Sequence, residues 1–229
     1  MRVATFNIRH GARNGVFANN KRLAQACELL DADVVCLQEV DAGVIRSGFR
    51  NQARFVARQL GHDWAFERAR RMLLTGFQGN AILTRGDIMS HRVIALVRQP
   101  GDEQRVATIA TLRIYGRTLT VANTHLQNTT SRKGDAATLQ QFDQVLDALD
   151  DISAPCVLCG DLNLDRGLIV PRLEGRGFSC GQRRNTIPAQ APRSQIDYVA
   201  VRGAQLDRLG AGPESVSDHL PLCADISGV

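Results

Sequence analysis

Ten short β-rich runs and three helical runs with one apolar face predict an α/β fold: two mixed sheets stacked face to face, with helices on the outer faces. Ten strands are awkward in one twisted open sheet. Helices follow the first two strands while hairpin-like pairs fill the middle of the chain, so the sheets are expected to mix parallel and antiparallel neighbours. At 229 residues the chain suits a single domain spanning residues 1–229, and no internal repeat or low-complexity linker divides it.

The expected strands lie near residues 2–8, 33–39, 64–68, 79–84, 89–97, 105–114, 117–126, 156–162, 196–202 and 222–227. Helical spacing appears in Leu23, Ala26, Cys27 and Leu30, then in Ala53, Val56, Ala57 and Leu60, then in Leu139, Phe142, Val145, Leu146 and Leu149. Tyr115-Gly116 reads as the turn of a hairpin. Residues 127–135 and 181–195, rich in Thr, Ser, Gly, Pro and Arg, read as loops.

A hydrophobic fraction of 44% and a charged fraction of 22% exclude fibrous and disordered classes. The absence of a long apolar run gives the expectation of a cytoplasmic chain with no stable membrane insertion. The six cysteines sit in apolar strand and helix patterns and read as reduced, buried thiols. Cys156 and Cys159 form a C-x-x-C, but no second ligand pair at zinc spacing accompanies them. The net charge of +5 and pI near 9.1 favour a polyanionic partner weakly. Lys21 and Lys133 are the only lysines among 28 basic residues, and no basic block stands out.

The informative feature is polarity at the ends of apolar strands. Asn7 ends Val3-Ala4-Thr5-Phe6, Glu39 ends Val34-Val35-Cys36-Leu37-Gln38, His125 ends Leu119 to Thr124, and Asp161 with Asn163 ends Val157-Leu158-Cys159-Gly160. Singly each is a turn former or cap; together they are expected to converge beyond the strand ends, where α/β sheets collect ligands. A hard cation such as Mg²⁺ takes carboxylate and neutral oxygen ligands, for which Glu39, Asp218 and Asn7 are the candidates. Asp161 is placed to accept a proton from water, Asn163 to orient that water, and His125 and His219 to donate to phosphate oxygens. Asp197 can hold an imidazole in its protonated form.

Seven segments in order carry a family resemblance: Thr5-Phe6-Asn7, Leu37-Gln38-Glu39-Val40, Gly79-Asn80-Ala81-Ile82-Leu83, Asn123-Thr124-His125-Leu126, Gly160-Asp161-Leu162-Asn163, Ile196-Asp197-Tyr198 and Ser217-Asp218-His219-Leu220-Pro221. The chain resembles the endonuclease/exonuclease/phosphatase superfamily, which includes exonuclease III-like repair nucleases, deoxyribonuclease I, sphingomyelinases and inositol polyphosphate 5-phosphatases. The resemblance implies a four-layered α/β/β/α sandwich and a divalent metal, Mg²⁺ or Mn²⁺. It implies Glu39 as principal metal ligand with Asn7 and Asp218 nearby, Asp161 and Asn163 positioning the attacking water, and Asp197 paired with His219. Asn80 matches the Gly-Asn segment and is expected to hold a phosphate or support the rim.

The motifs define the reaction and not the group attached to phosphate. A phosphodiester of DNA or RNA is the leading substrate class. Lipid head groups, phosphoinositides or small phosphorylated molecules are the alternative, and an inactive binding module on the same fold is the third reading. Arg46, Arg50, Arg70, Arg71, Arg132, Lys133, Arg183 and Arg184 are candidates for an anion-attracting rim, with Arg46 the first substrate contact.

Overall fold

In the computed structural model, period-2 burial along the strands sorts side chains into three apolar layers, and those layers define the architecture. The structure describes residues 1–72, 74–128, 134–153, 155–213 and 216–229. One sheet holds six strands: β1 (Arg2–Asn7), β2 (Val34–Ala42), β3 (Asp63–Arg71), β4 (Phe77–Thr84), β10 (Gln205–Ala211) and β11 (Leu222–Ser227). Their order is β10-β11-β1-β2-β4-β3. The other holds β5 (Asp87–Ala95), β6 (Val106–Ile114), β7 (Arg117–His125), β8 (Cys156–Asp161) and β9 (Asp197–Arg202), in chain order. Both sheets mix parallel and antiparallel pairs, as β1–β2 and β7–β8 are parallel and their other neighbours antiparallel.

Helices α1 (Asn20–Glu28) and α2 (Gln52–Leu60) cover the six-stranded sheet through Leu23, Cys27, Val56 and Ala57 against Ala4, Phe6, Val35 and Leu37. Asn19 and Asn51 cap them by accepting from the backbone N–H of Arg22 and Arg54. Helices α3 (Gly134–Asp150) and α4 (Arg166–Gly175) cover the other sheet through Phe142, Leu146, Ile169 and Leu173 against Ala122, Leu158 and Tyr198. Between the sheets pack Val3, Val34, Cys36, Ile82, Val121, Val157, Cys159 and Val199. This is the α/β/β/α sandwich the sequence predicts.

The three expected helices and ten expected strands are all present. Tyr115 and Gly116 both take positive φ, 52° and 77°, as the tight hairpin joining β6 to β7 demands. Strand β10 and helix α4 are additional. β10 is a polar edge strand with only Leu209 buried, and α4 carries Pro171 within it. Cys156 faces the helical layer and Cys159 the inter-sheet layer, so the C-x-x-C divides between two faces of a buried strand. All six cysteines are free. No described helix is long and apolar enough to cross a membrane.

Candidate active site

The inter-sheet stripe of every central strand turns from apolar to polar at the same end of the sandwich. On β1 it runs Val3, Thr5, Asn7; on β2 Val34, Cys36, Gln38; on β7 Val121, Asn123, His125; on β8 Val157, Cys159, Asp161; and on β9 Val201, Val199, Asp197. In register, His125 lies beside Asp161 and Asp161 beside Asp197, so adjacent strands line up three ionisable groups on one face. All three are nearly inaccessible. Gly160 takes φ 153°, and a Cβ there would sit 2.1 Å from the carbonyl oxygen of Thr124, so the strand brings Asp161 to the rim through a position only glycine fills.

Glu39 reaches this face by a different device. Strict alternation would point it with Leu37 toward α1 and α2. A β-bulge inserts one extra residue between Leu37 and Val40, which pair with Ala81 and Gly79, and Glu39 takes φ 57°. Val40 thereby occupies the helix-facing layer while the carboxylate turns to the site. The carbonyls of Leu37 and Ala81 accept hydrogen bonds at 3.0 and 2.8 Å from Asn123 Nδ2 across the sandwich. Gln38 Nε2 donates to Asn123 Oδ1 at 2.7 Å and to Thr5 Oγ1 at 2.9 Å. The two sheets are thus fixed to each other directly beneath the site.

Asn7 joins the halves. Its Nδ2 donates to Glu39 Oε1 at 3.1 Å and to Asp161 Oδ2 at 2.9 Å, while its Oδ1 accepts from the N–H of Arg9. Asp161 Oδ2 also faces Nε2 of His125 at 3.5 Å and of His219 at 3.8 Å. Burial, and next the charge of Asp197, push the Asp161 carboxyl up to about 7, against the pull of His219 and the Asn7 hydrogen bond. His219 Nδ1 lies 2.9 Å from Asp197 Oδ2, which also accepts from Thr186 Oγ1. Burial disfavours protonation of His219, but the charge and hydrogen bond of Asp197, with the charges of Asp161 and Asp218, outweigh it and raise the imidazole to about 10. Asp161, Asp197 and His219 crowd closely enough to suggest a metal cage. Their spacing is that of a hydrogen-bonded carboxylate–imidazolium pair, which leaves no lone pair on His219 for a cation.

His125 is held differently. Its Nδ1 contacts Arg105 Nη1 at 3.1 Å, and burial, followed by the charges of Arg105, His219 and Arg70, holds the imidazole well below its ordinary range.

The other predicted residues are held by partners of their own. Asn163 does not project from the strand beside Asp161. It lies beyond the end of β8 with φ 49°, its N–H donating to Asp161 Oδ1 and its Nδ2 to the carbonyl of Leu126. Asp218 is engaged by Arg9 Nη1 at 3.0 Å and by Ser217, with no hydrogen bond to Glu39 or Asn7. Arg46 is committed to a two-point ion pair with the fully buried Asp41 at 2.8 and 2.9 Å. Asn80 is buried, donates to the carbonyl of Val106 and lines a recess with Glu39, Arg70, Arg105 and His125. Arg132 and Lys133 lie outside the described residues. Arg105 escapes sequence reasoning, because an arginine before an apolar strand reads as a solvated flank.

Comparison with known proteins agrees with this geometry. The chain is 28% identical over 257 aligned positions to YbhP, an uncharacterized protein of Escherichia coli (strain K12), covering 98% of this chain and 95% of that one. A functionally unknown conserved protein from Enterococcus faecalis V583 shares the fold with a TM-score of 0.79 and 22% identity, each chain covered in full. The mannosyl-6-phosphatase of Bacteroides thetaiotaomicron VPI-5482 shares it with a TM-score of 0.75 and 16% identity over 99% of both chains. The sequence profile described as the endonuclease/exonuclease/phosphatase family matches residues 4–219, from the first strand through His219, and the chain belongs to that family.

Proposed function

We propose that the chain hydrolyses phosphoesters with Mg²⁺ or Mn²⁺, and that Glu39, Asn7 and Asp161 frame the catalytic centre. One observation carries this reading: a single carboxamide, Asn7, is hydrogen-bonded to two carboxylates that arrive from different sheets. Carboxylates crowded in a buried pocket, one of them pushed up to about 7, form an oxygen donor set. That pair fits a hard divalent ion held chiefly by Glu39 with Asp161 adjoining, whereas Asn7, whose Oδ1 accepts from Arg9 and whose Nδ2 faces the carboxylates, would offer its oxygen only after its amide turned over. Asp218 joins it only by leaving Arg9. When bound, the ion neutralises charge on the phosphate and makes water more acidic.

The protein groups divide the remaining work. Asp161 is raised to about 7 and His219 to about 10, so near neutral pH the carboxylate can accept a proton while the imidazolium still holds one. Asp161 accepts the proton of the attacking water. His219, kept cationic by Asp197, neutralises the phosphate and supplies a proton toward the leaving oxygen. His125 donates from Nε2 to a nonbridging oxygen, and Asn163 holds Asp161 through its backbone N–H.

The leading substrate class is a nucleic-acid phosphodiester, supported by the net positive charge and by Arg9 and Arg70 at the site. The cationic side chains Arg70 and Arg105 beside Glu39 support a second reading, a small phosphorylated molecule, and the fold is shared with a bacterial mannosyl-6-phosphatase. The test is a screen with Mg²⁺ or Mn²⁺, against an EDTA control, of plasmid DNA, abasic duplex, RNA, sphingomyelin, phosphoinositides, bis(p-nitrophenyl) phosphate and sugar phosphates at fixed salt. Metal-dependent turnover that disappears in Glu39→Ala supports the proposal. Failure to hydrolyse any of them, or full activity in Glu39→Ala, refutes it.

A further inference from the structure

Beside the catalytic centre, the recess opens between Glu39, Arg70, Gln78, Asn80, Arg105 and His125. Two guanidinium groups converge in it on one carboxylate: Glu103 Oε1 pairs with Arg70 Nη1, and Oε2 lies 3.4 Å from Arg105 Nη2. Both arginines are aimed by neutral acceptors. Arg70 Nε donates to Gln78 Oε1 at 2.9 Å and Arg105 Nε to Gln127 Oε1 at 3.4 Å, which leaves their Nη edges toward the recess. Register explains the first of these contacts, since Arg70 stands opposite Gln78 across β3 and β4.

Two features distinguish this from a surface salt bridge. The Arg105 side chain is 11% exposed and Arg70 30%, so both have given up much of their hydration. Gln78 is 4% exposed, lines the recess, and its Nε2 has no hydrogen-bond partner. A buried amide donor beside the buried Arg105 and the half-buried Arg70 lacks an acceptor that the protein itself does not supply. Glu103, by contrast, is 40% exposed on the connection between β5 and β6, and its carboxylate is the easily displaced member of the cluster.

We propose that Arg70, Arg105 and Gln78 form a second anion subsite, occupied at rest by Glu103, that takes a phosphate group of the substrate other than the scissile one. A phosphate offers more oxygens than a carboxylate, so it can satisfy both guanidinium groups and Gln78 Nε2 together. The recess has only about 10 Å³ free, so a phosphate enters it by taking the place of the Glu103 carboxylate, beside the Glu39 and His125 that wall the same recess. The inference deepens the hydrolase reading and rests on it for its catalytic meaning: the favoured substrates carry a second phosphate, whether on a nucleotide or on a small sugar.

The test separates binding from turnover. Inorganic phosphate is titrated calorimetrically into metal-free protein in EDTA at fixed ionic strength. Glu103→Gln, which removes the resident anion, is expected to tighten binding about tenfold, and Arg70→Gln to weaken it about tenfold. Equal affinity in all three proteins, or no binding in any, overturns the subsite. With Mg²⁺, the p-nitrophenyl ester of thymidine 3′,5′-bisphosphate is compared with that of thymidine 5′-phosphate, and glucose 1,6-bisphosphate with glucose 1-phosphate. The bisphosphate is expected to show a KM lower by about tenfold in at least one pair, the pair identifying the source, with the ratio falling toward one in Arg70→Gln. Turnover with no preference in either pair overturns the subsite while leaving the hydrolase standing. Phosphate binding that follows the substitutions without turnover of any substrate supports the subsite and refutes the hydrolase.

Discussion

Arg105 Nη1 lies 3.1 Å from His125 Nδ1, and a guanidinium only donates, so that ring nitrogen must accept. The imidazole is therefore neutral, with its proton on Nε2, the atom facing Asp161. His125 is expected to be neutral at pH 7, and nitrogen-15 NMR is expected to show an unprotonated Nδ1. A protonated Nδ1 at pH 7 would contradict the tautomer.

The same tautomer makes His125 a donor and not a base. His125→Ala is expected to lower kcat by about a hundredfold to a thousandfold, the cost of one preorganised donor to a developing charge. His125→Gln retains an N–H and should recover part of that loss. Equal loss in both variants, measured with bis(p-nitrophenyl) phosphate, would assign His125 another role.

His219 and Asp197 predict a pH-dependent contribution to stability. The folded protein holds the imidazole at about 10, above its unfolded value of 6.5, so the stabilisation is complete below 6.5 and is lost as pH rises through 10. Asp197→Asn leaves a buried cation without its partner and is expected to cost about 3–5 kcal/mol near neutral pH. Urea denaturation should show the gap between wild type and variant narrowing toward pH 10. A gap independent of pH argues against a charged pair.

Asp161 predicts a metal-linked acid limb. Its carboxyl loses a proton near pH 7 without a cation, so at low Mg²⁺ the rate should rise with pH through about 7. A divalent ion favours the carboxylate, and raising Mg²⁺ should move that limb to lower pH. An acid limb that stays fixed over a hundredfold range of Mg²⁺ would separate Asp161 from the metal centre.

Asn123 is expected to matter for stability and geometry together. Asn123→Ala strips donors from the carbonyls of Leu37 and Ala81 and a partner from Gln38, each buried group costing about 1–3 kcal/mol when unsatisfied. Chemical denaturation should register a loss of several kcal/mol, with reduced kcat in the folded fraction. A substitution neutral by both measures would show that the sheets are aligned by packing alone.

The layered fold is legible because period-2 strands and period-3.6 helices leave separate marks, and the catalytic rim is legible because apolar stripes end in Asn7, His125 and Asp161. What escapes is written in polar surface or in backbone. Strand β10 has no alternation to read, because a bulge between Leu206 and Arg208 sets its two core-facing leucines, Leu206 and Leu209, three residues apart. Pro171 hides α4 by breaking its expected donor pattern. The pairing of Asp197 with His219 follows from the family resemblance and not from any local pattern, because it depends on the chain return after Ser217 that brings His219 to the end of β9. The division of labour between the two histidines depends on Arg105, which sits 20 residues from His125 in sequence.

The bulge in β2 makes chain length itself part of the catalytic specification. Removing one residue there, even with every functional side chain retained, would restore strict alternation and send the Glu39 carboxylate into the oily layer beneath α1 and α2. A deletion of Val40 should therefore be more damaging than replacing Glu39 by glutamine, because it displaces a charge into hydrocarbon as well as silencing it. An insertion or deletion between Leu37 and Val40 must be matched by a compensating change in β4 if the carboxylate is to keep its side of the sheet.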